Sequence, residues 1–120
     1  MGERSLLVVD DDRSVRTALR MIFEGDCAVS TAERGSEAVD LIREKAPDVI
    51  LLDIGLPDMS GIDLLARIKS LAPETVVIMM TATEETEMIN RAGELGAVDY
   101  LVKPIDAKVL KTVLQNAVQK

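Results

Sequence analysis

Several runs of apolar residues in this 120-residue chain end abruptly in groups that could do chemistry. Residues 6–9 run into Asp10-Asp11-Asp12, and residues 49–52 into Asp53. Residues 76–80 end at Thr81, and residues 98–102 at Lys103-Pro104. The sequence holds no histidine and one cysteine, Cys27. That excludes zinc sites built from Cys and His, Ser-His and Cys-His nucleophile pairs, and an intrachain disulfide. Carboxylates, hydroxyls, lysine and backbone remain. Carboxylates crowded together need positive charge between them. Lys103 supplies one charge, and a hard divalent cation with oxygen ligands, such as magnesium, could supply the rest. A carboxylate beside that cation can act as a nucleophile and form an acyl phosphate. Asp53 is the candidate, with Thr81 and Lys103 as donors to the phosphoryl oxygens.

These groups can meet only if the elements that carry them are neighbours. Apolar runs alternate with amphipathic stretches five times. Strands are predicted over 6–9, 27–31, 49–52, 76–80 and 98–102. Helices are predicted over 14–23, 36–45 and 62–71. A fourth carries Met88, Ala92 and Leu95, capped by Thr83 and followed by Gly96. A fifth is capped by Asp106 and bears Val109, Leu110, Val113, Leu114 and Ala117. Val15, Ala18, Leu19 and Ile22 form the apolar stripe of the first helix, stopped at Gly25. Nearly continuous apolar strands imply burial on both faces, as in a parallel sheet. Right-handed crossovers place helices on both sides. The expected fold is an α/β, doubly wound, five-stranded parallel sheet of flavodoxin-like order 2-1-3-4-5, a (βα)5 chain. In that order the four polar strand ends are adjacent, and the crevice between the first and third strands is the switch point where such sheets bind ligands.

Composition agrees with one small globular domain. Hydrophobic residues make up 48% and aromatics 2%, so the core must be aliphatic. A formal net charge of −7 disfavours direct nucleic-acid binding. No apolar run is long enough to span a bilayer, and residues 1–5 lack a signal-peptide or myristoylation pattern. A single domain over 1–120 in the cytoplasm, with no membrane partner, is the expectation.

Taken singly, each group has an ordinary structural reading. An Asp after a strand is often a helix N-cap, as Asp12 is expected to be; a Thr there is a turn residue, and Lys103 a solvated lysine. Their joint placement at four adjacent strand ends favours a site. Leu7-Val8-Val9-Asp10-Asp11, Leu52-Asp53 with Leu56-Pro57 and Gly61, Met80-Thr81-Ala82 and Tyr100-Leu101-Val102-Lys103-Pro104 together resemble the signature of two-component response-regulator receiver domains. The motifs occur in order over essentially the whole chain.

The resemblance implies a signalling domain and not a metabolic enzyme, catalysing only its own phosphorylation and slow dephosphorylation. It implies Asp53 as phosphoacceptor, Asp11 as a direct Mg2+ ligand, Asp10 acting through water, and the Gly55 backbone carbonyl as a further ligand. Thr81 matches the switch hydroxyl, Ala82 the small residue that leaves the phosphoryl group access, Lys103 the pocket lysine and Tyr100 the aromatic switch. The Lys103-Pro104 bond is expected to be cis, aiming Lys103 at the pocket. Gly55 and Thr83 are positions that tune the phosphoryl lifetime. Cys27, where an aromatic residue is frequent, reads as structural. The donor is a phosphohistidine of a sensor histidine kinase or phosphotransfer protein, or a small acyl phosphate in vitro. The recipient is an output domain or downstream protein, with homodimerisation on phosphorylation a further outcome. Met88 and Leu95 are read as core in preference to a dimer face.

Three other readings compete. A pseudo-receiver would bind partners without phosphorylation, against which Asp10, Asp11, Asp53, Thr81 and Lys103 all stand intact. A phosphatase or phosphotransferase of the haloacid-dehalogenase type needs a second Asp two residues after the nucleophile, where Gly55 stands. A flavodoxin would need aromatics to stack on flavin, and three carboxylates would repel the cofactor phosphate.

Overall fold

The computed structural model describes residues 4–82 and 85–118. Five strands, β1 (Arg4–Val9), β2 (Cys27–Ala32), β3 (Val49–Asp53), β4 (Val76–Thr81) and β5 (Asp99–Val102), alternate with five helices, α1 (Arg13–Phe23), α2 (Gly35–Glu44), α3 (Gly61–Leu71), α4 (Thr86–Glu94) and α5 (Ala107–Val118). All four strand pairings are parallel, in the order β2-β1-β3-β4-β5. The (βα)5 doubly wound sheet is therefore the one expected.

The sheet divides two aliphatic cores. Leu7, Val9, Ile50, Leu52, Val77 and Met79 face one side, where they pack with α2, α3 and Ala92 of α4. Leu6, Val8, Leu51, Ile78 and Met80 face the other, under α1 and α5. This is the period-two alternation of a strand with both faces covered. Every residue of β3 is buried. The edges differ. β2 alternates, and β5 begins at Asp99 with no fully buried residue. Val98, expected to open β5, precedes it and is exposed. An edge strand has one ladder and incomplete helix cover, so its apolar residues meet solvent.

Helix ends follow capping chemistry. Asp12 accepts from the Ser14 N–H at 2.8 Å and starts α1, as expected. Ser60 caps α3 through the Ile62 N–H. Asp106 accepts from the Lys108 and Val109 N–H groups at the start of α5. The expected α4 cap, Thr83, lies outside the described residues; α4 starts at Thr86 with Glu85 in the N-cap position and no side-chain cap bond. Gly96 follows α4 with φ +104, a conformation suited to glycine. Leu19 and Phe23 anchor α1, each worth about 1.5–3 kcal/mol of burial. Ala18, placed in that stripe from its spacing, is exposed, as is Val109 of α5. Each lies at the margin of its helix stripe, where one step of 100° turns a side chain to solvent. Cys27 is buried among the α1 and α5 core residues, in keeping with a structural role. Met88 and Leu95 are partly buried against the core on the α3 side.

Candidate functional site

The parallel sheet delivers the polar strand ends to one edge. Asp10 follows β1 directly, held by its N–H to the Ala32 carbonyl at 3.0 Å. Asp53 closes β3 in register with Met80 of β4, and Thr81 pairs with Val102 of β5. The Lys103 N–H donates to the Thr81 carbonyl at 2.7 Å, which sets the lysine at the same rim. The Lys103-Pro104 peptide is cis, as expected.

Carboxylate oxygens of Asp10, Asp11 and Asp53 lie within 4.8 Å of one another. Asp10 and Asp53 are buried and Asp11 is exposed. The Lys103 ammonium sits between the two buried acids, with Nζ 2.7 Å from Asp10 Oδ2 and 3.5 Å from Asp53 Oδ1. Asp10 Oδ1 accepts from the Asp12 N–H at 2.9 Å. Asp12 itself turns to the α1 cap and stands outside the cluster. Thr81 is buried at the end of the adjacent strand, and Ala82 is exposed beyond it. The Gly55 N–H faces the Asp53 carboxylate and lowers its pKa. Tyr100 stands apart: it lies within β5, opposite Met79, half-buried against the α2–α3 core. Thr83 lies outside the described residues.

Charge explains the electrostatics. Burial pushes the Asp53 carboxyl up, and the Asp10 charge pushes it further; Lys103 and the Gly55 N–H pull it down without cancelling the rise. Burial also opposes the Lys103 ammonium, but the hydrogen bond to Asp10 and the charges of Asp10 and Asp53 outweigh it and raise its pKa. Lys103 stays charged, and one ammonium does not compensate the acids around Asp53.

A family model described as the response regulator receiver domain matches residues 6–115. The chain belongs to this family. Among its relatives is sporulation initiation phosphotransferase F of Bacillus subtilis (strain 168), 34% identical over 117 residues, covering 97% of this chain and 94% of that protein. The transcriptional regulatory protein ZraR of Escherichia coli (strain K12) is 39% identical over 113 residues, 93% of this chain but 26% of its own length. The chain spans about half or less of several regulatory proteins that it matches. The beryllofluoride-activated NtrC4 receiver domain, a dimer in its solution structure, superposes with a TM-score of 0.91 at 31% identity, covering 96% of each chain.

This receiver domain is thus the signalling domain of a two-component response regulator. Receiver domains bind Mg2+ at an acidic pocket, and the Asp10, Asp11 and Asp53 cluster is such a pocket. Its donors are hard oxygens, with no sulfur or imidazole among them, which suits magnesium. Among the described residues no helix is long and apolar enough to cross a membrane.

Three contributors were not anticipated. Arg16 Nη1 donates to the Asp10 carbonyl at 2.8 Å and its Nη2 lies 3.6 Å from Glu33, tying α1 to the acidic turn. Gly61 packs against the backbone of Asp53 and Ile54, where a Cβ would come 2.6 Å from Ile54 Cα. Asp58 reaches the start of α2. Arg16, a basic residue one helical turn beyond the acids, and Gly61, within the signature motif, had signals in sequence without an assigned role; Asp58 had none.

Proposed function

We propose that this receiver domain takes a phosphoryl group onto Asp53 from a phosphohistidine of a sensor histidine kinase or phosphotransfer protein. The observation that carries the reading is the convergence of Asp10, Asp11 and Asp53 oxygens within 4.8 Å, with Lys103 bonded to one buried acid and close to the other. An Asp53 oxygen attacks phosphorus, the P–N bond breaks, and its electron pair leaves with the imidazole, which takes up a proton. With acetyl phosphate a P–O bond breaks and acetate leaves. Asp11 would hold Mg2+ directly, Asp10 through water, and Asp53 with the Gly55 carbonyl would complete the protein ligands; both Asp10 oxygens already accept hydrogen bonds, which favours the water-mediated role. Bound there, magnesium would neutralise charge on the phosphoryl oxygens. Lys103 and the Thr81 hydroxyl donate to those oxygens, while Ala82 leaves the approach open. Thr81 then moves toward the phosphoryl group and Tyr100 fills the space behind it. The surface of α4, β5 and α5 repacks, changing affinity for an output domain, a downstream protein or a second copy. The dimeric state of the activated NtrC4 receiver domain supports the last of these partners. A single domain over residues 1–120, acting in the cytoplasm, fits this role. Gly55 and Thr83 tune the lifetime of the acyl phosphate.

Intact mass spectrometry after acetyl phosphate and MgCl2 tests the assignment. A single phosphoryl adduct is expected, absent in Asp53→Asn and with EDTA. An adduct that persists in Asp53→Asn, or none in the wild type, defeats it; the latter result favours a pseudo-receiver.

A further inference from the structure

The loop that follows the acceptor is fastened at its tip to a different helix. At its base Gly55 pairs with Ser60 across the loop, the Leu56 and Gly61 N–H groups share the Ile54 carbonyl at 3.2 and 2.7 Å, and the Gly55 N–H faces the Asp53 carboxylate. At its tip the Asp58 carboxylate crosses to α2. Oδ1 accepts from the Gly35 N–H at 2.8 Å and Oδ2 from the Ser36 N–H at 2.9 Å.

α2 needs this cap. A helix start leaves amides without intrahelical acceptors. Arg34, in the N-cap position, makes no side-chain cap bond. Glu37 reaches back to the Glu33 N–H at 2.9 Å, so it leaves the Gly35 and Ser36 amides to Asp58. The two amides hold the Asp58 carboxyl below its ordinary range, and its charge sits at the positive end of the helix. Beside it Met59 lies over Gly35, where a Cβ would come 2.6 Å from Met59 Sδ.

The same bonds hold the loop. Among the described residues, no atom outside its immediate neighbours lies within 4 Å of where a Gly55 Cβ would stand, so none of their side chains fixes this residue from that direction. Its place depends on backbone bonds and on the anchored tip. We propose that Asp58 is a positioning residue of the phosphoacceptor pocket: anchored on α2, it holds the β3–α3 loop so that Gly55 keeps its N–H turned toward Asp53 and its carbonyl available to the cation. This rests on the phosphoacceptor reading above.

The test compares wild type, Asp58→Ala and Asp58→Asn in acetyl phosphate reactions over a range of MgCl2, with magnesium affinity measured by calorimetry. Asp58→Ala should raise the magnesium concentration for half-maximal rate about 10-fold, the size typical of groups that orient metal ligands, and leave the rate at saturating magnesium unchanged. Asp58→Asn keeps an acceptor oxygen for one amide and should recover about half of the shift. The Gly55 amide resonance should move with those of Gly35 and Ser36 in Asp58→Ala. A cap that serves α2 alone would lower Tm and leave the magnesium midpoint at the wild-type value, which overturns the proposal. If Asp58→Ala does not fold, a wild-type midpoint and Gly55 resonance in Asp58→Asn overturn it, and an intermediate shift supports it. A wild type that takes no adduct overturns the phosphoacceptor reading itself; a wild type that is modified, with unshifted variants, overturns only the role of Asp58.

Discussion

Two glycines bracket the loop after Asp53 and impose opposite demands. A side chain on Gly61 would drive into the carbonyl oxygen of Asp53 and the Cα of Ile54, both backbone atoms that cannot turn aside. A Cβ on Gly55 would meet nothing within 4 Å among the described residues, and Gly55 has no positive φ. Overpacking of this kind costs about 1–3 kcal/mol. Replacing a glycine that has an ordinary conformation instead stabilises by about 0.4–1 kcal/mol, by restricting the unfolded chain. Gly61→Ala should therefore lower Tm by several degrees and slow adduct formation, because the displaced atoms include the carbonyl of Asp53, the proposed acceptor. Gly55→Ala should leave Tm unchanged or raise it. Urea and thermal melts of the pair decide this; a Gly61→Ala protein as stable as wild type would mean the α3 start can shift freely. The signature motif and local turn chemistry mark Gly61 in the sequence, but neither shows that its neighbour in space is the backbone of residues 53 and 54.

Among the elements, the central strands were plain in the sequence because uninterrupted apolar residues suit a sheet covered on both faces. β3, buried throughout, is the clearest case. The acids at the ends of β1 and β3 and the lysine after β5 were legible for the same reason: parallel strands share one C-terminal edge. Both edge strands were found to within one residue, but exposure at the sheet edge and at stripe margins was not legible. Val98, Ala18 and Val109 are apolar where the pattern wants apolar residues, yet tertiary cover does not reach them. Asp58 was invisible too. It follows Pro57 and reads as a turn residue, while its amide partners are 23 and 22 residues away. Its titration gives α2 a pH signature. Because the folded pKa lies below the ordinary value of 3.8, the unfolded state binds more protons as pH falls through that range. Asp58 thus contributes stability that is present above about pH 3.8 and lost as pH drops through the folded value. The stability gap between wild type and Asp58→Asn should narrow on acidification below that point. Denaturant melts at successive pH values check this, and a gap that stays constant down to the folded pKa would mean that the carboxylate charge is irrelevant to the cap.

For the whole molecule, the sheet edge is where an already acidic chain gathers still more negative charge. With a net charge of −7, self-repulsion opposes compaction, and added salt should relieve part of it. The Asp10, Asp11 and Asp53 cluster adds a local term that general screening does not reach, because Asp10 and Asp53 are buried and Lys103 offers a single charge to both. A cation that binds the folded cluster and not the unfolded chain stabilises by RT ln(1 + [L]/Kd), about 1.4 kcal/mol at ten times Kd. For a domain of this size that is a rise in Tm of about 5 °C. At matched ionic strength, MgCl2 should therefore raise Tm above the value in NaCl by about this amount. Asp11→Asn should lose most of the excess. It removes the exposed acid of the three and leaves the buried Asp10–Lys103 bond in place, so its response to NaCl should match that of the wild type. Equal melting curves for wild type in the two salts would show that the strand ends assemble without a specific cation, and the acidic edge would then be only a source of repulsion.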